Sequence, residues 1–136
     1  MLDQIYWRIP NRVLVMQYSG ELSFEEFKTG VLAAHKMLAE ADIPTNSLVH
    51  VINDVSRTSA TRRNWMQFSQ VNSFMKSLPD QLITGWLVIV DSTPNPMASF
   101  IVSVVSQVTR TRFHVVTSMD EAIDYLSKVD LTLALR

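Results

Sequence analysis

Apolar residues recur along the chain with two alternating periods, and the switches between them mark the elements. Ile5 to Ile9 and Val13 to Tyr18 are short β-branched and aromatic runs separated by Pro10-Asn11-Arg12. That is turn chemistry at hairpin spacing and predicts an antiparallel strand pair. Ser23 and Glu26 form a capping box, after which Phe24, Phe27, Val31, Ala34 and Leu38 recur at three- and four-residue intervals. A first helix follows from this pattern, and it must stop before Pro44, whose ring disfavours helical geometry at Ile43. Leu48 to Asn53 reads as a third strand.

The second half repeats the alternation. From Thr61 to Leu78, the residues Trp65, Phe68, Val71, Phe74, Met75 and Leu78 fit a helical stripe. Leu82 to Val90 is almost wholly apolar after Thr84, the signature of a strand covered on both faces, and it is expected at the sheet centre. Asn95 as N-cap with Pro96 in the first turn opens a third helix carrying Met97, Phe100, Ile101, Val104, Val105 and Val108. Phe113 to Val116 is the fifth strand, and Ser118 with Glu121 caps a fourth helix that places Met119, Ala122, Ile123 and Leu126 on one face. The predicted class is α/β, a mixed sheet of about five strands with four helices in the order ββαβαβαβα, as one domain over residues 1–136. The apolar tail Leu131 to Arg136 has three open roles: pairing, packing on a helix, or sealing a dimer.

Composition narrows the chemistry. The 136 residues include no cysteine, which removes disulfides, thiolate metal sites and a cysteine nucleophile. Twelve basic against 13 acidic side chains leave a net charge of −1, so no field favours nucleic acid or an anionic membrane. The longest apolar run, Trp86 to Val90, is far short of the roughly 20 residues that span a bilayer. Met1 to Pro10 carries Asp3, Gln4 and Arg8 where a secretory signal needs an apolar core, and the expected location is cytoplasmic. No serine is flanked by two glycines, and the glycine-rich fingerprints for dinucleotides and triphosphates are absent. The three histidines lack metal-ligand spacing: His35 is expected as a satisfied residue beside the first helix's buried stripe, and His50 and His114 lie within strands. No catalytic residue, cofactor or metal is assigned.

The order ββαβαβαβα on a chain this short resembles the SpoIIAA-like branch of the STAS superfamily, the sulfate transporter and anti-sigma-factor antagonist domains. Tyr18-Ser19-Gly20-Glu21-Leu22-Ser23 resembles that family's entry to its first helix. Arg110-Thr111-Arg112-Phe113, then Glu121-Ala122 and Tyr125-Leu126, resemble its C-terminal pattern. The resemblance implies a non-enzymatic regulatory domain that binds a protein partner, as a homodimer. Antagonist-type members carry Asp-Ser-Ser-Gly before the second helix, where a serine is phosphorylated. Here the matching segment reads Asp54-Val55-Ser56-Arg57-Thr58-Ser59-Ala60-Thr61, without the adjacent Asp-Ser-Ser and without the glycine.

The residues themselves point to the same segment. Asp54, Ser56, Arg57, Thr58, Ser59, Arg62 and Arg63 combine hydroxyls with guanidinium forks in a loop ahead of a helix, at the carboxyl end of a parallel strand. Partner or anion binding is expected there, with solvated arginines and helix-capping hydroxyls as the bland reading. Asp91 to Pro96 opens on the same sheet end as a candidate second wall. Trp65, Met66, Phe68, Phe74 and Met75 offer more large apolar surface than one core stripe needs, and Trp65, Met66 and Phe68 form a candidate interface, with plain coverage by neighbouring elements as the bland reading. The alternative function is a small-molecule or lipid-binding module: an enclosed apolar cavity under the second and third helices for a lipophilic ligand, with the arginines holding an anionic head group at its mouth.

Overall fold

A computed structural model describes residues 2–20, 23–58, 68–77, 84–91 and 112–133. The chain begins as a hairpin of β1 (Leu2–Ile9) and β2 (Val13–Gly20). Arg12 N–H donates to Ile9 O at 3.0 Å across Pro10 and Asn11, and Asn11 has φ of 62°. Proline in the second position and a left-handed asparagine in the third are what a type II turn requires. Helix α1 (Phe24–Glu40) then leads to β3 (His50–Thr58), α2 (Phe68–Ser77), β4 (Trp86–Val90), β5 (Arg112–Val116), α3 (Met119–Val129) and a 3-10 turn at Leu131–Leu133.

The strands lie side by side in chain order, β1-β2-β3-β4-β5, with only the first pair antiparallel. Successive side chains of a strand point to opposite faces, so the sheet builds two cores. Leu14, Met16, Tyr18, Val51, Val55, Leu87 and Ile89 pack with Phe27, Ala34 and Leu38 of α1. Val13, Val15, Ile52, Val88, Val90 and Val116 face the other way, onto Ala122 and Leu126 of α3 and Leu133 of the terminal turn. Phe74 of α2 joins the first core with its ring edge-on to Phe24 and Phe27, at 6.1 and 6.3 Å between centroids.

Both predicted N-caps form. Ser23 Oγ accepts from Glu26 N–H, and Ser118 Oγ accepts from Glu121 N–H, each at 3.1 Å. Glu121 also reaches back to Thr117, accepting its N–H at 3.2 Å and its hydroxyl at 2.6 Å. The α/β class and the five-stranded mixed sheet are thus as expected. Three α-helices occur among the described residues; the expected helix over Met97 to Val108 lies outside them, so a count of four is not matched.

Three expectations need correction. The strand Trp86–Val90 is interior and covered on both faces, but it is fourth in the order, and β3 is central. A continuous apolar run reports two-sided burial, which every interior strand shares, whereas the polar His50, Asn53 and Asp54 disguised the middle strand. Strand β3 also begins later and runs further than Leu48 to Asn53, so Asp54, Ser56, Arg57 and Thr58 are strand residues and not a loop. Lastly, His35 is not fully satisfied: its Nδ1 is buried without a hydrogen-bond partner.

Candidate functional site at the carboxyl end of β3

Strand β3 continues through a polar stretch because a bulge accommodates it. Gln17 pairs with Asp54 and Ser19 with Arg57, so two steps along β2 match three along β3. One residue is therefore extra, and a bulge leaves backbone groups without ladder partners. Asp54 supplies the missing acceptor: its Oδ1 takes the Ser56 N–H at 3.0 Å and the Ser56 hydroxyl at 2.6 Å. Thr58 closes the end of the strand by donating its hydroxyl to Val55 O at 2.6 Å. This is a local side-chain to backbone exchange of the kind short polar residues favour.

The bulge also re-phases the strand. Paired residues of a parallel ladder share a face, so Arg57 falls on the face of Ser19 and Gln17, which is also that of Asp54. Without the extra residue it would follow Val55 into the α1 core. Asp54 is only 8% exposed, and Gln17 Nε2 approaches its Oδ2 at 3.4 Å, too long for a strong bond. Asp91 stands one residue beyond Val90, the β4 partner of Asp54, and is likewise buried; its N–H donates to Val116 O at 2.9 Å.

Of the residues singled out from sequence, the structure therefore brings Asp54, Ser56, Arg57 and Thr58 together at one strand end. Ser59, Arg62, Arg63, Trp65 and Met66 lie outside the described residues, as do Ser92 to Pro96. Phe68 opens α2 as the structure describes it, and its side chain is not among the described ones. A cleft of about 270 Å³ lies at the first turn of α1, lined by Leu2, Glu25, Glu26 and Thr29. Its described lining carries two carboxylates and no arginine.

A second polar cluster, which sequence reasoning missed, occupies the opposite end of the sheet. Asp130, at the carboxyl cap of α3, accepts from Arg12 Nη2 at 2.9 Å and pairs with His50 Nε2 at 2.8 Å, both through Oδ2. Arg12 further donates to Leu48 O and Thr132 Oγ1, each at 2.8 Å. Trp86 N–H donates to His50 Nδ1 at 2.9 Å, so the ring proton sits on Nε2 and is given to Asp130. Burial holds His50 below the usual histidine range, against the opposing pull of its Asp130 bond. For Asp130 burial pushes upward, but the Thr132 and His50 hydrogen bonds together with Arg12 outweigh it, and the carboxyl stays below its usual range. No local motif could have revealed this cluster, because Arg12 and Asp130 are 118 residues apart.

The remaining histidine, His114, stacks on Tyr125 at 3.7 Å and 7° between planes, with Trp86 edge-on to the same ring at 5.1 Å. Among the described residues, no group of three or more histidine or acidic side chains is arranged to hold a metal ion. No described helix is long and apolar enough to cross a membrane. The chain matches no protein-family model and none of the curated proteins.

Proposed function

We propose that this chain is a non-enzymatic regulatory, protein-interaction domain of the STAS type, four helices on a mixed five-stranded sheet, acting in the cytoplasm as a homodimer. One observation supports the reading above others: the described elements follow ββαβαβαβα wherever they can be compared. Within that order, the segment corresponding to the family's regulatory serine motif coincides with the bulged carboxyl end of β3. A hydroxyl, Ser56, sits there against a buried carboxylate, and an exposed guanidinium, Arg57, follows it. Partner binding would draw on Asp54, Ser56, Arg57 and Thr58, with Ser59, Arg62 and Arg63 next in sequence and Trp65, Met66 and Phe68 as neighbouring apolar surface.

Site-specific photo-crosslinking in the producing cell tests the reading. A crosslinking residue in place of the exposed Arg57 should yield one discrete adduct with a second protein, and the same probe in place of the exposed Asp3 on β1 should not. Absence of any position-57 adduct, or adducts equal at both positions, rejects the interaction surface.

A further inference from the structure

A buried carboxylate normally has a cation beside it, and among the described residues Asp54 has none. It is more than nine-tenths buried, yet among the described residues it forms no ion pair. Oδ1 is satisfied by Ser56, whereas among the described residues Oδ2 has only the long Gln17 contact. A single donor at 3.4 Å leaves that oxygen with lone-pair capacity for a further partner. The opposite charge stands three residues further along the same strand. Arg57 shares the face of Asp54 through the β3 bulge, is exposed, and forms no ion pair among the described residues.

Two opposite charges on one face, separated by the bulge and not joined to each other, fit a ligand that carries both charges itself. We propose that Asp54 and Arg57 are the two poles of a binding site for a small zwitterion, which places a primary ammonium on Asp54 Oδ2 and a carboxylate on the Arg57 guanidinium. The Gln17 amide lies beside the ammonium position and contributes its carbonyl oxygen once turned. A singly charged amine gains one pole and meets the like charge of Arg57, and a simple carboxylate meets Asp54, so the site discriminates by repulsion as well as attraction. Bulges concentrate next to functional sites because they re-aim side chains, as this one does with Arg57. The location, at the carboxyl end of a parallel strand, is where open α/β sheets hold ligands. The site goes beyond the protein-partner reading and stands without it.

The test is an amide NMR titration of the isotopically labelled full chain with glycine, β-alanine, γ-aminobutyrate and 5-aminopentanoate, and with methylammonium and acetate as single-charge probes. The Ser56 amide, held by Asp54 Oδ1, and the Arg57 amide are the reporters. Saturable shifts at both are expected, with one chain length in the series at least ten-fold tighter than methylammonium or acetate. Arg57→Gln and Asp54→Asn should each weaken that binding at least ten-fold. Because Asp54→Asn risks the fold by disturbing the bulge, the exposed Arg57→Gln decides if the other variant does not fold. Absence of saturable shifts, methylammonium or acetate binding as well as every zwitterion, or unchanged affinity in Arg57→Gln each overturns the proposal.

Discussion

At Gly85 the missing side chain decides how two strands meet. A Cβ there would lie 2.3 Å from His50 Nδ1, the atom that accepts the Trp86 N–H. Gly85→Ala should therefore displace the imidazole, strand a buried donor and lower the unfolding free energy by about 2–4 kcal/mol, measured by urea titration. Gly30 plays the same part for Tyr18, whose hydroxyl occupies the space a Cβ would need. Asp130→Ala has a larger expected effect, about 3–5 kcal/mol, because it leaves the buried Arg12 guanidinium without its counter-charge. The histidines set a pH dependence. His50 and His35 are both held below their ordinary value of 6.5 by burial, so the folded chain binds fewer protons than the unfolded chain in that range. Their contribution is fully present above 6.5 and is lost as the pH falls below it towards the folded values. Unfolding free energy should decline from pH 7 to pH 5. A double His35→Gln, His50→Gln variant, if it folds, should flatten that decline; a slope equal to the parent's would refute the assignment. Asp130, lowered from 3.8, adds a loss in the same direction only at more acidic pH.

Among the elements, the capped starts of α1 and α3 were the most legible and the strand ends the least. Both N-caps were readable because every atom involved lies within four residues, and local hydrogen bonding does not depend on the rest of the fold. Ser118→Ala should cost about 1 kcal/mol in urea titration, the usual penalty for losing an N-cap acceptor. Strand β3 was misread at its end for the opposite reason. Asp54-Val55-Ser56-Arg57-Thr58 has loop composition, and only pairing with β2, plus the Asp54 bonds that absorb the bulge, keeps it in the sheet. The carboxyl-terminal segment belongs at this scale too. Of its three open roles, the described residues show packing: Leu133 enters the α3 core while Leu131 remains 87% exposed. Deleting residues 130–136 removes Asp130 and Leu133 together and should lower Tm by several degrees or more. Leu131→Ser should leave it nearly unchanged, so equal effects of the two would reject the packing role.

For the whole molecule, a net charge of −1 provides little repulsion between copies, and the homodimer of the proposed function should appear in native mass spectrometry as twice the 15.5 kDa chain. A monomer at micromolar concentration would reject it. The sequence by itself determined the α/β class, the hairpin entry, the starts of α1 and α3 and the two-faced burial of β4, since periodicity, caps and turn residues act over a few positions. It also drew attention to Asp54, Ser56, Arg57 and Thr58 through their composition. Only the tertiary structure decided that β3 is central, that Arg57 shares a face with Asp54, and that Asp130 closes on Arg12 and His50 from the far end of the chain. Those facts depend on which strands become neighbours and in what register, and that is fixed by the joint burial of two apolar faces, to which residues scattered over the whole sequence contribute.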